Sequence, residues 1–459
     1  MAMLSVLANR TYRHLFTAQV TSLVGTGLTT VALALLAYDL AGAEAGMVLG
    51  TALAIKMVIY VVLAPLIASV AHRLPRRGML ITLDLLRAGI VLFLPFVTEI
   101  WEIYVLIGLL HACSAGFTPV FQATIPDILR DEERYTKALS LARLAYDLEN
   151  LASPALAAAA LVFLSYDTLF LGNTATFLIS AALVASVRLP ATAQAMRPTG
   201  AWANIAYGAR IYLMTPRLRG LFALSLTTAA AGSIVIVDTV VLARARLGGG
   251  EVDTALLLAA VGAGSMAAAL VLPRVLGQIS DRSVMLTGGG LLVAALATGT
   301  MASGFAILAI LWAAIGVGTS LIQTPAGRLL RRSTHEADRP AGFAAHFTGS
   351  HLCWLIAYPL AGWLGAQSEP WLVFAVLGVV AALGLGTAAT VWPTDDSMVH
   401  EHEHAAMHHL HLHIHDEHHQ HEHEGWEGPE PHSHPHNHQP MKHRHTYVVD
   451  LHHLGWPSR

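Results

Sequence analysis

The sequence predicts an all-α membrane protein with twelve transmembrane helices in two six-helix bundles, followed by a disordered, histidine-rich C-terminal tail. Of the 459 residues, 54% are hydrophobic and only 12% are charged, about half the charged fraction of soluble domains. This balance excludes a soluble enzyme, a nucleic-acid-binding protein and a disordered chain for most of the length. Of the 26 histidines, six lie in residues 1–392 and twenty in residues 393–459. Charge divides at the same place, with a net +5 before residue 393 and −8 after it.

Each predicted span is a run of about 20 apolar residues, the length that crosses a hydrocarbon core of about 30 Å. The runs form two sets, 15–38, 47–70, 78–98, 102–124, 138–163 and 168–188, then 218–243, 253–275, 283–304, 306–327, 341–365 and 370–392. We therefore expect bundles at 1–190 and 217–392, a cytoplasmic linker at 191–216 and a tail at 393–459. The first run is too long for a signal-peptide core and lacks a clear cleavage site, so we expect it to remain as a span.

The distribution of Lys and Arg predicts the orientation, because these residues concentrate in short cytoplasmic loops. With a cytoplasmic N-terminus, the inside segments hold nineteen of the 24 Lys and Arg in residues 1–392. An even number of spans then returns the tail to the same side. We therefore expect both termini, and the histidine-rich tail, in the cytoplasm.

The two sets of runs repeat each other in sequence. GFTPVFQ at 116–122 and LIQTPAG at 321–327 place Thr-Pro near the same end of the fourth run of each set. SPALA at 153–157 and YPLAG at 358–362 place a proline in the fifth run. The offsets are 206 and 205 residues. Two such halves with a polar connection indicate a parallel internal repeat of the kind found in secondary transporters.

A short motif between the second and third runs gives the resemblance. In the second half, Gly277 to Arg282 reads GQISDR, which resembles the G-x-x-x-D-R signature of the major facilitator superfamily. The equivalent segment of the first half, 68–77, reads ASVAHRLPRR and has His72 in place of the aspartate. The resemblance implies the major facilitator fold and a gating role for these loops, carried by Arg73, Arg76, Arg77, Asp281 and Arg282.

A second motif points to the exporting branch of the same superfamily. Residues 150–157 read NLASPALA, which resembles a degenerate fifth-span antiporter motif, G-x-x-x-G-P-x-x-G, with small residues in place of the glycines. This resemblance implies drug- or ion-exporting facilitators rather than sugar importers.

Charged residues inside the predicted spans are candidates for coupling, because a charge at bilayer depth costs about 2.5–3.5 kcal/mol on insertion scales. Asp84 and Arg87 stand one helical turn apart and alternatively form a structural ion pair. Arg143 and Asp147 share a helical face, whereas Glu149 lies about 200° from Asp147. Both acids lie about 13–17 Å from the cytoplasmic end, near the midplane. There desolvation favours the protonated carboxyl and a cation favours the carboxylate, so we predict proton or cation coupling, with neutralisation by Arg143 as the alternative.

Two histidines are also predicted at midplane depth, His111 in the fourth run and His351 in the eleventh. Each precedes a cysteine by two residues, Cys113 and Cys353, and the helical offset points each pair to different faces. Imidazole suits nickel, zinc and cobalt, so one histidine from each half can meet a metal ion in a central pathway. A satisfied core histidine is the alternative for each.

The tail combines imidazole and carboxylate donors at high density. A chain of this composition cannot bury a core, and most of its imidazoles are neutral near pH 7. It has no cysteine, which disfavours Cu(I) and leaves Ni(II), Zn(II), Co(II) and Cu(II). A merely solvated tail or an expression tag is the alternative to metal binding. The candidate ligands are His400, His402, His404, His408, His409, His411, His413, His415, His418, His419, His421, His423, His432, His434, His436 and His438.

A twelve-span facilitator with a histidine-rich cytoplasmic tail resembles the bacterial nickel-resistance exporters of the superfamily. The resemblance implies proton-coupled efflux of Ni(II), with Co(II) as a further substrate, across the inner membrane. We expect a monomer without enzymatic activity or a tightly bound cofactor, with divalent metal ions, protons and the lipid bilayer as partners and no nucleic acid. Two alternatives stay open: an exporter of drugs or siderophores with a metal-sensing tail, and a non-transporting membrane metal buffer or sensor.

Overall fold

The computed structural model describes residues 4–41, 45–71, 74–190, 200–243, 251–396, 399–404, 407–413, 432–438, 441–449, 453 and 455–456. Thirteen α-helices lie in this part of the chain. In order they are α1 (Arg10–Ala41), α2 (Ala45–Ala71), α3 (Arg76–Phe93), α4 (Ile100–Ile128), α5 (Glu132–Leu161), α6 (Tyr166–Ala185), α7 (Ala201–Met214), α8 (Pro216–Val241), α9 (Glu251–Val275), α10 (Asp281–Gly299), α11 (Phe305–Arg332), α12 (Arg339–Gln367) and α13 (Pro370–Val391).

The twelve long helices correspond one to one with the twelve predicted spans, and α7 is the additional short one. Ten of them are long and apolar enough to cross a membrane. The other two, α5 and α12, have 30 and 29 residues and carry several of the polar side chains noted above. The prediction of a multi-pass all-α membrane fold is therefore confirmed.

Side-chain caps fix where two of the helices begin. The Asp131 carboxylate accepts a hydrogen bond of 2.8 Å from the backbone N–H of Arg134, at the start of α5. The Ser280 hydroxyl accepts one of 3.2 Å from the N–H of Ser283, at the start of α10. Such caps satisfy backbone donors that the first helical turn leaves unpaired. They therefore set the positions of the charged residues that open both helices.

The helices pack as two halves that mirror the sequence repeat. α1 packs on α6 and α2 on α4 in the first half, while α8 packs on α13 and α9 on α11 in the second. Between the halves, α2 lies against α12 and α5 against α9. With α7 set aside, α2 corresponds to α9 and α5 to α12, so these two contacts are equivalents of each other. The packing thus has the pseudo-symmetry that the 205-residue offset predicts.

The predicted linker contains a helix that the sequence analysis does not predict. α7 lies against α2, α8 and α12, and it is amphipathic. Its Ile211 and Tyr212 are buried, whereas Trp202 is 78% exposed. Fourteen residues are too few to cross a bilayer, so the helix packs alongside the bundles. Residues 191–199 of the predicted linker lie outside the described residues.

In the tail the structure describes four short strands, β1 (Val399–His404), β2 (Met407–His413), β3 (His432–His438) and β4 (Met441–Thr446). β1 pairs with β4 and β2 with β3, each pair antiparallel. A two-stranded ribbon is at best marginally stable in water. These two strand pairs therefore give the described part of the histidine-rich segment no packed core of its own, as its composition predicts.

Two glycines allow the backbones of α9 and α11 to approach each other closely. A Cβ atom on Gly264 would lie 2.0 Å from the carbonyl oxygen of Ala313, and one on Gly316 would lie 2.0 Å from that of Val261. Both obstacles are backbone atoms, which cannot move aside as a side chain does. Small residues at such crossings let helices pack by van der Waals contact within a membrane.

We predict that Gly264→Ala lowers the stability of the C-terminal half by about 2–3 kcal/mol, because the added methyl group forces α9 and α11 apart. Gly290→Ala is the matched control, since a Cβ there meets no atom within 4 Å. The thermal unfolding midpoint of both purified variants measures the effect. Equal midpoints for the two variants would show that the close approach contributes nothing.

Candidate functional site

A cavity of about 490 Å³ lies between the two halves. Its walls are polar and aromatic rather than purely apolar, although they are formed by transmembrane helices. The first half contributes Tyr60, Thr118, Gln122, Arg143 and Tyr146, and the second contributes Ser225, Thr228, Gln323, His346, Ser350, His351 and Trp354. The cavity wall includes Arg143 and His351, two of the residues predicted from the sequence. A third, Asp147, lies beside it as the ion-pair partner of Arg143.

Arg143 of α5 connects the halves at this chamber. Its guanidinium forms an ion pair of 2.9 Å with Asp147, one turn along the same helix. The Nε atom also donates a hydrogen bond of 2.9 Å to the hydroxyl of Ser265 on α9, and Nη1 donates to the amide oxygen of Gln323 on α11. Since Asp147 is only 4% exposed, its charge depends on Arg143 for compensation.

Glu149 occupies a different environment from Asp147, as the helical offset predicts. Its side chain is partly buried, and the charge that acts on it is Lys56 of α2. Lys56 also lies 5.7 Å from the centre of the Tyr60 ring, within the range of a cation–π contact. Asp147 and Glu149 are therefore influenced by two different cations, and Lys56 had no role in the sequence-based prediction. The side chain of Asn150, the first residue of the antiporter-like motif, lies outside what the structure describes.

His111 and His351, which come from different halves, both contact Tyr60 of α2. The Tyr60 hydroxyl lies 3.1 Å from Nδ1 of His111, and the Tyr60 ring packs edge-on against both imidazoles, with centroid distances of 5.4 and 4.8 Å. The structure thus brings together the two histidines that the sequence analysis singled out. Their cysteine neighbours diverge, since Cys353 is buried in a cluster with Ala229.

The hydrogen bond of His351 determines which of its nitrogen atoms is available to a ligand. Nδ1 lies 2.7 Å from the backbone carbonyl oxygen of Phe347. A carbonyl only accepts, so Nδ1 carries the hydrogen and, in the neutral ring, Nε2 keeps its lone pair. A backbone carbonyl on the other ring nitrogen is the usual orienting contact of metal-binding histidines. Among the described side chains, however, no three His, Cys, Asp or Glu residues converge as a ready-made metal site.

A further histidine at the cavity was missed by the sequence analysis. His346 of α12 accepts or donates a hydrogen bond of 2.8 Å with the hydroxyl of Tyr212 on α7. Ser350 and Trp354 follow it at spacings of four and eight residues, which place the three on one face of the helix, and all three line the cavity. That spacing is visible in the sequence and would have predicted a polar, cavity-facing side for α12.

Asp84 and Arg87 form a buried ion pair away from the cavity walls. Arg87 donates to Asp84, which also accepts a hydrogen bond of 2.7 Å from Ser180 of α6. The guanidinium of Arg87 lies 4.0 and 4.6 Å from the ring centres of Phe117 and Phe177. This set of contacts joins α3, α4 and α6. This geometry matches the alternative expectation for Asp84 and Arg87, a structural ion pair.

On the predicted cytoplasmic side, the G-x-x-x-D-R signature takes part in a charge cluster between the halves. Asp281 at the start of α10 lies 2.9 Å from Arg332 and 3.3 Å from Arg328, both on α11. These two arginines also bind Glu132 at the start of α5, at 2.8 and 2.7 Å. We call these four residues the second-half cluster. Through Glu132 it holds the second half against the first.

Arg282, the last residue of the signature, acts on a different element. Its Nε atom donates a hydrogen bond of 2.9 Å to the carbonyl oxygen of Trp392, and Nη2 donates one of 3.0 Å to that of Ala389. Those carbonyls lie at the C-terminal end of α13, where backbone acceptors have no helical partner. Arg282 therefore caps α13 rather than bridging the halves.

The first half has an equivalent cluster with the charges reversed. Arg76 at the start of α3 and Arg339 at the start of α12 both bind Asp127 at the end of α4. Arg76 and Asp281 each begin the third long helix of their half, and Asp127 and Arg332 lie at the ends of the corresponding helices α4 and α11. We call Arg76, Asp127 and Arg339 the first-half cluster. The acid missing from the first-half motif is thus supplied by α4, which the sequence analysis did not predict.

The other basic residues of the first-half motif are only partly accounted for. Arg77 donates a hydrogen bond to the carbonyl oxygen of Ala185 at the end of α6. It therefore caps a helix of its own half, as Arg282 does in the other half. His72 and Arg73 lie outside the described residues.

The strand register of the tail places histidines opposite histidines. Directly opposed residues in an antiparallel pair have Cβ atoms about 4.5–5.5 Å apart. The opposed pairs are His400 with His445 and His402 with His443 in β1 and β4, then His409 with His436, His411 with His434 and His413 with His432 in β2 and β3. His404, His408 and His438 lie opposite Met441, Asn437 and Met407. His415, His418, His419, His421 and His423 lie outside the described residues.

Two pseudo-symmetric helical halves around a polar central cavity, closed on one side by charge clusters, are the architecture of a membrane transporter that works by alternating access. The model of the Major Facilitator Superfamily matches residues 15–282 and 221–412, which is well over half of the chain. The chain belongs to the Major Facilitator Superfamily.

Solved structures of this superfamily resemble the chain in fold. The human organic anion transporter MFSD10 (TETRAN) matches with a TM-score of 0.69 at 13% identity, over 83% of this chain and 99% of that one. The transporter FucP in its outward conformation matches with a TM-score of 0.65 at 14% identity, over 83% and 99%. At these identities the likeness is one of fold alone. A search of curated protein sequences finds no match.

We predict that Asp127→Asn weakens the closure on the predicted cytoplasmic side, because it removes the acid shared by Arg76 and Arg339 and leaves Arg339 with only the exposed Glu336, at 3.7 Å. Removing one partner of a buried ion pair costs about 3–5 kcal/mol. A cysteine at Ser225, in a background without Cys113 and Cys353, should then react faster with a membrane-impermeant maleimide added from that side.

Glu133→Gln is the control for this experiment. Glu133 is 73% exposed and forms an ion pair with Lys137, which the substitution removes. Exposed ion pairs contribute about 0–1 kcal/mol to stability. The labelling rate of this control should match that of the parent. If Asp127→Asn also labels at the parent rate, the first-half cluster does not hold this side closed.

Proposed function

We propose that the chain is a secondary active exporter of a divalent metal ion, foremost Ni(II) and also Co(II), which exchanges the ion for protons across a bacterial inner membrane. Membership of a transporter superfamily supports the transport part. The metal is supported by the twenty histidines of residues 393–459 and by the resemblance to nickel-resistance exporters. In this proposal the protein has no enzymatic role, and the ion is its substrate.

The observation that carries the proposal is the meeting of His111 and His351 at Tyr60. The two imidazoles belong to different halves, and alternating access moves the halves relative to each other. A ligand pair divided in this way is complete in one state of the cycle and separated in another. Metal affinity then differs between states, which is what a ligand needs in order to bias a conformational equilibrium.

The site must bind the ion weakly, because an ion held too tightly is not released. Two imidazoles with additional oxygen donors or water meet this requirement better than a closed three- or four-ligand site. Ni(II) and Co(II) accept imidazole nitrogen readily. The hydroxyl of Ser350 and the amides of Gln122 and Gln323 supply oxygen donors along the cavity wall.

The carboxyl group of Asp147, which pairs with Arg143, can exchange a proton. When Asp147 is ionised it binds Arg143, and when it is protonated Arg143 keeps only its hydrogen bonds to Ser265 and Gln323 on the other half. Protonation thus changes how strongly α5 is held to α9 and α11. Glu149 with Lys56 is a second acid–base pair near the histidines. In this proposal Asp147 or Glu149 carries the proton, and His111 and His351 bind the metal ion.

The tail would capture metal on the predicted cytoplasmic side. Opposed histidines in β1/β4 and β2/β3 are at a separation at which two imidazoles can bind one ion. A disordered or marginally stable segment of this composition becomes ordered when it binds. Captured ions then stay near the clusters that close the cavity.

The first test measures Ni(II) accumulation in cells that express the intact chain, a truncation after Pro393, or Asp147→Asn combined with Glu149→Gln. We expect the intact chain to lower cellular nickel several-fold and the double carboxylate variant to abolish this effect, because the variant cannot release protons. We expect truncation to reduce export in part, since the cavity remains intact.

The outcomes of this test separate the remaining alternatives. If all three strains accumulate nickel as empty cells do, metal export is wrong. If truncation abolishes the effect while the carboxylate variant retains it, the protein is a membrane-bound metal buffer or sensor. Expression of each variant in the membrane must be equal for the comparison to count.

A second prediction concerns the two imidazoles. His351→Gln should weaken Ni(II) binding to the tail-truncated protein by about tenfold or more, because one ligand of a small set is lost. Isothermal titration of the purified truncated protein measures it. His335→Gln is the control, because His335 lies in the connection between α11 and α12 outside the cavity wall. Equal affinities for the two variants would remove His351 from the metal site.

The cavity volume favours a second candidate, an exporter of an organic solute with a metal-sensing tail. A volume of about 490 Å³ lies within the range of about 300–1,000 Å³ typical of drug-sized ligands, and Trp354 and Tyr60 offer aromatic surface. Loss of a fluorescent organic anion or cation from cells that express the intact chain, with no change in nickel content, would favour this candidate.

A further inference from the structure

The end of the chain returns to the membrane body after the histidine-rich segment. Tyr447, Val448 and Val449 are 5%, 4% and 2% exposed, although they lie in non-helical chain. Successive side chains of an extended segment point in opposite directions, so three buried neighbours in a row mean that the segment is covered on both sides. We call the described residues Tyr447–Val449, His453, Gly455 and Trp456 the C-terminal latch.

The latch has a small fold of its own. The Tyr447 hydroxyl donates a hydrogen bond of 2.7 Å to the carbonyl oxygen of Gly455. The Tyr447 ring also packs against His453, at 4.5 Å between centroids, and against Trp456, at 5.3 Å. These contacts fold the segment back on itself and present the indole of Trp456 to the rest of the protein.

The latch contacts the body at Arg217, at the start of α8. The guanidinium carbon of Arg217 lies 5.1 Å from the centre of the Trp456 ring, within cation–π distance. The same arginine is 1% exposed, and its Nε atom lies 3.4 Å from Asp396. Asp396 stands where the chain leaves α13, whereas Trp456 follows the histidine-rich segment. Arg217 therefore holds both ends of that segment.

This anchor lies next to the second-half cluster. The charges that act on Arg217 are those of Asp396, Arg332 and Asp281, and Asp396 in turn acts on Asp281. A hydrogen bond makes a second connection, because Arg282, next to Asp281, donates to the carbonyl oxygen of Trp392, four residues before Asp396. Asp396 at the start of the tail, Trp456 of the latch and the charges of the second-half cluster therefore all act on Arg217.

We propose that the surface around Arg217 is a docking site for the chain's own C-terminus, so that the histidine-rich segment is a loop closed at both ends beside the gate. The group that docks there is the indole of Trp456, because the buried guanidinium of Arg217 offers a flat cationic face to an aromatic ring. A closed loop cannot diffuse away from the cavity entrance. When the halves separate on this side, Glu132 leaves Arg332, whose charge acts on Arg217, so opening changes the charges around the residue that holds the latch.

Hydrogen–deuterium exchange of the full-length protein in lipid nanodiscs, without added metal, tests the proposal. In the parent, amides of residues 447–449 should exchange at least about tenfold more slowly than in an unstructured chain. Trp456→Ala should remove this protection while the amides of α8 stay as they are. Trp202→Ala, at a 78% exposed tryptophan of α7, is the matched control and should change neither.

Tyr447→Phe is a second variant that leaves the body untouched, since it removes only the hydroxyl bonded to Gly455. It too should increase exchange at residues 447–449. Exchange at unstructured rates in the parent overturns the proposal, as does full protection in both latch variants. Neither outcome depends on nickel or on transport, so a failure here is distinct from a failure of the proposed export function.

Discussion

The ion pairs that Asp127 makes with Arg76 and Arg339 are the contact on which the arrangement of the two halves depends. One carboxylate of α4 compensates one guanidinium from its own half and one from the other, and the three side chains are at most 9% exposed. In so little water the two guanidinium groups would repel each other without the acid between them. The acid at the end of α4 therefore allows the halves to close here, beside the second contact that Glu132 makes with Arg328 and Arg332.

The cavity and its contents follow from this closure. With α12 brought against α2 and α4, His351 reaches the Tyr60 ring that His111 also contacts. With α5 brought against α9 and α11, Arg143 reaches Ser265 and Gln323. The charge clusters and the polar chamber are therefore two layers of the same interface, and the movement of one layer changes the other.

Much of the fold follows from the sequence, because a run of about 20 apolar residues in a membrane has essentially one way to satisfy its backbone. Helical geometry also separates Asp147 from Glu149 before any packing is known. The common contact at Tyr60 is different, because it depends on how α2, α4 and α12 cross. Asp127 was missed for another reason: an acid at the end of an apolar run resembles an ordinary interfacial residue, and only its partner on α12 reveals its role.

The helix in the linker and the latch show a related limit. α7 is too short and too mixed in composition to stand out as a span, and it is positioned by the helices it covers. The latch has few residues, and its cover comes from contacts such as that between Trp456 and Arg217, hundreds of positions apart in the chain. Composition predicts the donors of the histidine-rich segment but not where its ends are held.

The reversed charges of the two clusters also determine which half can associate with which. In the native pairing, the first half offers Arg76 and Asp127 to Arg339, and the second offers Asp281, Arg328 and Arg332 to Glu132. Two copies of the first half would set two acids against one base at this seam, and two copies of the second would set three bases against one acid. The two halves therefore carry complementary charges at their interface. The native pair has net charges of +1 and 0 at its two seams, whereas two first halves would have −1 at both and two second halves +2 at both, so the native pairing is the least charged.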